Sequence, residues 1–338
     1  MATPGALDSS SPRTDLVTTD LTVFGDTVVT VGTFDGVHRG HHAVLESLVR
    51  HADESGLAPL VVSFEPHPLE VLKPSAAPRL LAPGEERAEI LASLGVAHLA
   101  VLPFTTTLAR YTAEDFVDLV LGPRYRMRRL LIGYDHGFGR GRSGDVETLG
   151  ALGAARGFVV DVVPPVIGVD GEPISSSSIR RALDLGDLER AANALGRRYA
   201  ATGRVVAGAR RGRLLGYPTA NLEILRRKLL PPNGVYAVVV DTARGTFGGM
   251  MNLGPRPTFG EQDVSIEVHL LDAGEDFYGY GERLRVEFVK RLRDTVRFAS
   301  ADDLVAQLAR DEGEARLALT EIIHSRTVKG STDVSTPP

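Results

Sequence analysis

The sequence predicts a protein of two domains, an α/β domain with a parallel sheet followed by an antiparallel β domain that ends in a closing helix. Its 338 residues exceed the ~250–300 that one hydrophobic core usually spans. In the first half, apolar strand-like runs alternate with helical segments, which is typical of a parallel sheet covered on both faces. From Ala200 to about Asp294, short alternating runs separated by glycine, proline and asparagine predict an antiparallel sheet or small barrel.

The first domain is predicted from apolar runs and from the helices between them. Helical spacing of apolar residues first appears at Val44, Leu45, Leu48, Val49 and Ala52. Further helices are predicted over residues 84–95, from Thr112 to residue 122 and over residues 145–157. The strand-like runs cover residues 27–31, 59–64, 97–104, 128–133 and 158–163. Because ligands of parallel sheets bind beyond the carboxyl ends of the strands, the segment that follows residue 31 is a candidate binding region.

The second domain is predicted from strand-like runs at residues 203–208, 234–241, 245–254, 264–272 and 283–289, followed by an amphipathic helix over residues 301–323. We expect the first domain to span residues 19–186, a linker helix to span 187–198, and the second domain to span 199–325. The polar ends, residues 1–18 and 326–338, are expected to be disordered tails.

The composition excludes whole classes of function. A net charge of −5 disfavours nucleic acid as a partner, because neutralising phosphates needs a basic surface. The absence of cysteine removes disulfides, thiolate nucleophiles and zinc–sulfur sites. No apolar run approaches the ~20 residues of a membrane span, and the polar N-terminal segment does not resemble a signal peptide. We therefore expect a cytoplasmic protein that binds no membrane, while the pattern leaves the oligomeric state open.

The segment TVGTFDGVHRGHHAV, at residues 30–44, contains the first candidate site. His38, Gly40 and His41 form an H-x-G-H motif where a strand passes into a helix. Backbone N–H groups and the helix dipole favour an anion there, and glycine lets the backbone approach it closely. Two imidazoles that donate to phosphate oxygens would stabilise charge on a departing pyrophosphate. The alternative is a metal-binding pair or two surface histidines.

A second phosphate-binding element is predicted in ISSSSIRRAL. Four serines, Ser175 to Ser178, precede a short helix that contains Arg180. Serines at this position often only cap a helix. Beside a nucleotide pocket, however, hydroxyls, N–H groups and a guanidinium would form a clamp for the β- and γ-phosphates.

The segment GRGRSG offers a competing interpretation. Gly139, Gly141 and Gly144 match G-x-G-x-x-G, and Asp161 follows at roughly the distance expected for an NAD- or FAD-binding oxidoreductase. The preceding strand, however, ends at Gly133. The first glycine of a dinucleotide-binding turn must follow its strand directly, so this interpretation is disfavoured.

The second domain contains a candidate magnesium–nucleotide site. Thr219 and Asn221 in PTAN lie two residues apart, so an extended backbone places them on the same side. Their hydroxyl and amide oxygens are hard ligands that suit Mg²⁺ carrying nucleotide phosphates. In VSIEVHLLD, the period of two places Glu267 and His269 opposite the apolar residues. Glu267 could accept a proton from an attacking hydroxyl. The alternative for PTAN is an ordinary turn, and the alternative for Glu267 is a solvated glutamate on a strand.

These motifs, in this order, resemble the prokaryotic bifunctional riboflavin kinase/FAD synthetase family. The resemblance extends from about Val28 to Ile323, through the segments GTFDGVHRGH, SFEPHP, GYDHGFGRGRSGD, ISSSSIRRAL, GRVVAGARRGRLLGYPTAN, NGVYAV, MNLGPRPTFG and FVKRLRD. It implies an N-terminal nucleotidylyltransferase domain with a Rossmann-like parallel sheet, joined to a six-stranded riboflavin kinase barrel. The implied substrates are riboflavin, FMN and ATP, with Mg²⁺ as the cofactor.

The resemblance also implies roles for individual residues. His38 and His41 would stabilise the transition state of adenylyl transfer, and Glu267 would be the base for the ribityl 5′-hydroxyl. ATP in the first domain would be bound by Gly32, Phe34, Asp35, Gly40, Ser175, Ser176 and Arg180. Asp135 and Phe138 lie in a loop that would face flavin and nucleotide. In the kinase, ATP would be bound by Gly208, Arg211, Gly216, Thr219 and Asn221, Mg²⁺ by Thr219 and Asn221, and flavin by Tyr236 and Arg291.

The predicted function is therefore a pair of successive reactions, phosphorylation of riboflavin to FMN and adenylylation of FMN to FAD with release of pyrophosphate. A nucleotidylyltransferase acting on another phosphorylated acceptor would share the H-x-G-H motif, but its reaction would not explain PTAN and Glu267 in the second domain. A non-catalytic flavin-binding module is the alternative from a different class. Departures from the family pattern are Ser177 for threonine, Tyr217 for phenylalanine, and His136-Gly137 in the flavin-facing loop.

Overall fold

The computed structural model describes residues 17–18, 25–134, 137–208, 211–255, 264–274 and 279–332. The chain divides into two units after Ile174, and the short segment Arg79–Pro83 joins the second unit. Among the described residues, no helix combines the length and the apolar character needed to cross a membrane.

The first unit is built on a parallel sheet of six strands in the order β1-β4-β3-β2-β5-β6. This confirms the predicted parallel α/β fold. The strands are β1 (Val17–Thr18), β2 (Thr27–Val31), β3 (Ala58–Glu65), β4 (His98–Pro103), β5 (Met127–Gly133) and β6 (Val159–Val163). β1 lies in the stretch 1–18 that was expected to be disordered. That expectation is corrected at these two residues, whose backbones pair with Leu99 and Ala100.

Helices and helical turns connect these strands. The helices are α1 (Arg39–Ser55), α2 (Pro68–Leu72), α3 (Glu85–Ser93), α4 (Ala113–Phe116), α5 (Gly122–Tyr125) and α6 (Val146–Arg156). Short 3₁₀ turns occupy Pro74–Ala76, Leu108–Arg110 and Arg140–Arg142. A π-helical stretch, Val117–Leu121, joins α4 to α5, so the helix predicted from Thr112 is irregular in its middle.

Both faces of the sheet are covered by apolar side chains. Val28 on β2 packs with Leu45 and Leu48 of α1 on one face. Its neighbour Val29 packs on the other face, together with Phe116 of α4 and Leu149 of α6. Since successive strand residues point to opposite faces, a strand buried on both sides reads as a continuous apolar run. This explains why β2 is the run TVVTV.

The second unit is a closed antiparallel barrel of six strands in the order β10-β11-β8-β7-β12-β9. The predicted barrel is thereby confirmed. Its strands are β7 (Ala200–Val206), β8 (Ala220–Ile224), β9 (Gly234–Thr242), β10 (Gly245–Pro255), β11 (Val264–Leu270) and β12 (Arg283–Arg293). The helices are α7 (Ser176–Asp184), α8 (Leu188–Leu195), α9 (Arg211–Leu214) and α10 (Ala301–Thr332).

The closing helix α10 packs against β9, β10 and β12. Ala315 and Leu319 are buried against Ala237 and Val239 of β9 and Met250 of β10. The helix continues to Thr332, past the predicted end at Ile323. Its last residues therefore enter the stretch 326–338 that was expected to be disordered.

Candidate active sites in the two units

The predicted H-x-G-H motif lies at a tight turn between β2 and α1. Phe34, Gly36 and Val37 all have positive φ angles, of 47°, 80° and 40°. Only glycine adopts positive φ angles without steric cost, so Phe34 and Val37 are held in a backbone conformation that their residue types disfavour. Helix α1 then begins at Arg39, and His38 is its N-cap. The imidazoles therefore lie at the N-terminus of a 17-residue helix, where an anion is favoured.

His38 and His41 are held against each other. The backbone N–H of His41 donates to Nδ1 of His38 at 3.4 Å, and the backbone N–H of His38 donates to Nδ1 of His41 at 3.3 Å. The two rings are stacked, with their centroids 3.7 Å apart. A ring nitrogen that accepts an N–H cannot carry a proton itself, so this pattern assigns the proton of each neutral ring to Nε2. Both imidazoles can therefore act as Nε2–H donors.

Gly32, Phe34, Asp35 and Gly40, which are also predicted for this ATP site, lie in the same segment between β2 and the first turn of α1. A Cβ at Gly40 would lie 3.1 Å from the His38 ring, and a Cβ at Gly32 would lie 3.1 Å from the Phe34 ring. The close packing explains why glycine occupies both positions. Phe34 and Asp35 are buried, so their side chains help to form the turn from within.

Side chains from β3 and α3 hold the backbone of this turn, and local sequence patterns do not indicate them. Nη1 of Arg87 on α3 donates to the carbonyl oxygen of Thr33 at 3.0 Å, and Oγ of Ser63 on β3 donates to the same oxygen at 3.3 Å. Nη2 of Arg87 lies 3.6 Å from a carboxylate oxygen of Glu65. Arg87 is 54 residues from Thr33. Arg87 lies in the charged run GEERAE, so no local pattern distinguishes it from a solvent-exposed helix residue.

The predicted serine clamp begins helix α7, in the second unit. Ser175 is the N-cap: its Oγ accepts the backbone N–H of Ser178 at 3.1 Å, while Oγ of Ser178 accepts the backbone N–H of Ser175 at 3.2 Å. Nε of Arg180 donates to the carbonyl oxygen of Arg79 at 2.9 Å. The capping role is therefore present. Binding of phosphate by Ser175, Ser176 and Arg180 remains a prediction.

The structure gives Gly139 and Gly144 of GRGRSG a packing role, while Gly141 has a left-handed backbone with φ 67°. A Cβ at Gly139 would lie 2.5 Å from the backbone nitrogen of Ala113, and one at Gly144 would lie 2.7 Å from the Ala113 Cβ. Asp161, the acidic residue of the competing dinucleotide interpretation, accepts a hydrogen bond from Arg129 at 2.9 Å. These contacts explain the motif without a dinucleotide.

The flavin-facing loop is described only in part. Asp135 lies outside the described residues. The Phe138 side chain is 9% exposed, and its ring packs edge-on against Phe116 with the centroids 5.4 Å apart. Phe64 lies between Phe116 and Phe104, with its centroid 6.2 Å and 5.5 Å from theirs. Phe64 and Phe104 lie at the carboxyl ends of β3 and β4, and no local pattern in the sequence indicates this row of aromatic rings.

The kinase candidates converge in the second unit. Glu267 on β11 lies opposite Asn221 of β8 in the strand register. Oγ1 of Thr219 donates to one carboxylate oxygen of Glu267 at 3.5 Å, and Oγ of Ser265 donates to the other at 3.2 Å. On its other side, Glu267 lies opposite Asn252 of β10, a residue that no local sequence pattern indicates. The predicted alternation is confirmed, since Ile266, Val268 and Leu270 are buried.

Because Gly208 has no side chain, the Asn221 amide can lie directly against the Gly208 backbone. A Cβ at Gly208 would lie 1.9 Å from Nδ2 of Asn221 and 2.5 Å from its Cγ, so any larger residue would displace the amide. Gly216 has φ 79°, a left-handed conformation that favours glycine. Arg211 begins α9, and its side chain lies outside the described part of the chain.

The donors around Glu267 fit a magnesium–nucleotide complex. Thr219 and Asn221 provide hard hydroxyl and amide oxygens next to a carboxylate. Mg²⁺ commonly uses one or two protein groups and completes its shell with water and substrate phosphates. Within the described ranges, no group of three or more His, Asp or Glu side chains could hold a metal by itself.

The two predicted flavin contacts of the kinase are Tyr236 and Arg291. Tyr236 is completely buried, its hydroxyl donates to the carbonyl of Pro232, and burial raises the pKa of its phenol. Nη2 of Arg291 donates to the carbonyl oxygen of Asn233 at 2.6 Å. Both side chains therefore brace the start of β9 in this structure, and their contact with flavin remains a prediction.

Comparison with known proteins gives each unit a match. The family model described as FAD synthetase matches residues 22–178, and the one described as riboflavin kinase matches residues 195–319. A crystal structure described as a macrolide-efflux protein from Streptococcus pneumoniae is 34% identical, with a TM-score of 0.78, and the match covers 88% of this chain and 96% of that one. That likeness supports the fold described above.

Curated relatives match over nearly the whole of both units. The bifunctional riboflavin kinase/FMN adenylyltransferase of Escherichia coli K12 is 40% identical over 290 residues, which cover 86% of this chain and 91% of the relative. The protein of the same name from Pseudomonas fluorescens is 39% identical over 298 residues, which cover 88% and 94%. With this identity over both units, the chain belongs to the bifunctional riboflavin kinase/FMN adenylyltransferase family.

Proposed function

We propose that this chain makes FAD in two steps, with the histidine pair of the first unit acting in adenylyl transfer and Glu267 of the second unit acting in phosphorylation of riboflavin. The barrel phosphorylates riboflavin with ATP, and FMN then reacts with a second ATP to give FAD and pyrophosphate. The observation that carries the proposal is the presence of two separate groups of polar residues whose chemistry suits phosphate transfer, His38 with His41 and Thr219 with Asn221 and Glu267. Each lies within the segment matched by the corresponding family model.

In the kinase step, Glu267 accepts the proton of the ribityl 5′-hydroxyl. The hydroxyl oxygen then forms a bond to the γ-phosphorus of ATP, and the bond from that phosphorus to the β-phosphate oxygen breaks to release ADP. The hydroxyls of Thr219 and Ser265 hold the two carboxylate oxygens in place. Bound Mg²⁺, held by Thr219 and Asn221 with the ATP phosphates, would neutralise charge on those phosphates.

Further residues are assigned to the kinase substrates. Gly208 and Gly216, together with Arg211, would form the loop over the ATP phosphates. Tyr236 and Arg291 would contact the flavin. The close approach of Gly208 to Asn221 supports the first assignment, because it keeps the amide beside Glu267.

In the adenylyl transfer, a phosphate oxygen of FMN attacks the α-phosphorus of ATP, and pyrophosphate leaves. This step needs positioning and stabilisation of charge, with no covalent enzyme intermediate. The Nε2–H groups of His38 and His41 donate to the phosphate oxygens on which charge develops. The turn formed by Gly32, Phe34, Asp35 and Gly40 would hold the nucleotide against them.

The remaining contacts of the adenylyl transfer are also proposals. Ser175, Ser176 and Arg180 would bind the outer phosphates of ATP, and Asp135 and Phe138 would face the flavin and nucleotide. The two functional domains are residues 19–186 and 199–325, joined by the linker helix 187–198. Since ATP is made and used inside the cell, we place the reactions in the cytoplasm.

The test is to follow products after the full-length protein is incubated with riboflavin, ATP and Mg²⁺. We expect FMN and then FAD by chromatography. Glu267→Gln should abolish FMN formation and still convert added FMN to FAD, because the carboxamide cannot act as a base. His38→Ala with His41→Ala should give the opposite pattern. Equal loss of both activities in either variant would contradict the division of labour, and a failure to make either product would refute the proposed function.

A further inference from the structure

The segment that carries Thr219 is anchored by a histidine outside the proposed catalytic set. His269 lies on β11, two residues after Glu267, and its Nδ1 is 2.8 Å from the carbonyl oxygen of Pro218. Because a carbonyl oxygen can only accept, the contact assigns the proton of the neutral ring to Nδ1. The residue that follows this carbonyl is Thr219, so the bond fixes the backbone immediately before the proposed magnesium ligand. His269 and Pro218 are 51 residues apart.

The ring of His269 makes a second contact in the same segment. It packs edge-on against the Tyr217 ring, with the centroids 5.2 Å apart and the planes at 63°. This is the T-shaped geometry that aromatic pairs favour. One side chain on β11 therefore holds two successive residues, Tyr217 and Pro218, ahead of Thr219.

Tyr217 in turn connects the segment to the closing helix. It packs on the apolar cluster that contains Ala315 and Leu319 of α10. Burial raises the pKa of its phenol, and the negative charge of Glu312 on the same helix, which also shares a hydrogen bond with the phenol, raises it further. Glu312 is itself paired with Arg316 at 2.9 Å. A continuous set of contacts thus runs from α10 through Tyr217 and His269 to the start of β8.

We propose that His269 is a positioning residue for the kinase reaction, and that with Tyr217 it holds the Thr219–Asn221 segment at the distance from Glu267 that MgATP requires. The inference rests on the assignment of Thr219 and Asn221 to the magnesium–nucleotide site. His269 touches no reacting atom; it acts through the carbonyl of Pro218. Because His269 acts on the segment that contains Thr219 and Asn221, losing this anchor weakens binding of MgATP more than it slows the proton transfer to Glu267.

The test compares substitutions at His269 in the full-length protein. His269→Phe keeps the ring against Tyr217 and removes the donor. We expect the kcat/KM for MgATP in riboflavin phosphorylation to fall at least tenfold, mainly through KM, and the Mg²⁺ concentration for half-maximal rate to rise. In His269→Asn, an amide N–H occupies the place of Nδ1, so we expect kcat/KM to return to within about threefold of wild type.

Controls separate positioning from general damage. Conversion of added FMN to FAD should be unchanged in both variants, and His324→Phe, the same substitution at an exposed position on α10, should leave both activities unchanged. If His269→Phe lowers the melting temperature, Tyr217→Leu provides a second test, since it keeps an apolar side chain but removes the ring that packs against His269. It should raise the Mg²⁺ requirement in the same direction, by a smaller factor.

The outcomes distinguish this inference from the proposed function. If Thr219→Val and Glu267→Gln retain riboflavin phosphorylation, the assignment of the site itself is wrong. If those two variants lose it while His269→Phe keeps wild-type KM and Mg²⁺ dependence, the positioning role is refuted. Damage in His269→Asn as large as that in His269→Phe would also refute it, because the donor would then be irrelevant.

Discussion

At the scale of single residues, the side chains proposed for catalysis are already fixed by hydrogen bonds within the protein. His38 and His41 cap the backbone of α1 for each other through Nδ1, which directs the protonated nitrogen of each ring away from the helix. Glu267 likewise accepts from two hydroxyls. Such fixed donors and acceptors need no reorganisation during the reaction, which is the basis of electrostatic stabilisation of a transition state.

Helix capping and catalysis at His38 can be separated by one substitution. Asparagine is a good N-cap but has no group at the position of Nε2. We therefore expect His38→Asn to lower FAD formation from FMN by about 100-fold, the typical effect of removing one transition-state donor, with little change in stability. His38→Ala should lose the same activity and also about 1 kcal/mol of stability. FAD production and thermal unfolding measure the two effects, and an active His38→Asn variant would exclude the donor role.

Gly208 offers a second test at this scale. In Gly208→Ala the new methyl carbon would overlap the Asn221 amide, because it would lie 1.9 Å from Nδ2. Rotation of the asparagine relieves the clash at little energetic cost but removes its oxygen from the site. We expect FMN formation to fall at least tenfold, with no loss of stability and no change in FAD formation from FMN. Gly274→Ala is the matched control, because nothing lies within 4 Å of its Cβ position.

At the scale of elements, the closing helix α10 is attached to the barrel by a buried ion pair. Asp311 is 3% exposed. It accepts from Nε of Arg293 at 2.9 Å and 3.0 Å, from Nη2 at 2.7 Å, and from Gln307 at 2.7 Å. Removing one partner of such a pair leaves an uncompensated charge, which is costly.

The ion pair predicts how α10 responds to substitution. Asp311→Asn should destabilise the attachment of the helix by about 3 kcal/mol, seen as faster amide hydrogen exchange in α10 and β12. The control is Asp272→Asn. It breaks the solvent-exposed pair with Arg316 and should cost under about 1 kcal/mol. Similar exchange in the two variants would contradict the role assigned to burial.

At the scale of the whole molecule, acid should weaken both units. Arg128 and Arg126 hold the pKa of Asp26 below its ordinary 3.8, and Arg316 does the same for Asp272 in the second unit. Hydrogen bonds from Thr112 lower the pKa of Asp115. Since these folded-state pKa values are depressed, their contribution is present above the unfolded value and is lost as the pH falls through the folded value.

We therefore expect the melting temperature to be constant near neutral pH and to fall as the pH drops below about 4. Helical ellipticity during heating at a series of pH values provides the measurement. Asp26→Asn should make the decline shallower, because it removes one group that binds a proton only on unfolding. A melting temperature that stays level or rises towards pH 3 would contradict this assignment of charges.

Local patterns in the sequence were sufficient for most of the elements, although strands β1 (Val17–Thr18) and β8 (Ala220–Ile224) were not predicted from them. The run TVVTV predicted β2 with its observed bounds, Thr27–Val31, because a strand buried on both faces is apolar throughout. Alternation in VSIEVHLLD correctly placed Glu267 away from the buried face. Turn and cap chemistry located H-x-G-H at a helix N-terminus. These features depend on neighbours in sequence, so periodicity and backbone preference encode them directly.

Only the tertiary structure decided which distant residues support the sites. Arg87 reaches Thr33 across 54 residues, and His269 reaches Pro218 across 51. The tertiary structure also pairs the two-residue strand β1 with β4 and places Arg79–Pro83 in the second unit. Strand order and register set these contacts, and both arise from packing of the whole chain. The sequence therefore determined the elements and their chemistry, while packing determined which residues hold that chemistry in place.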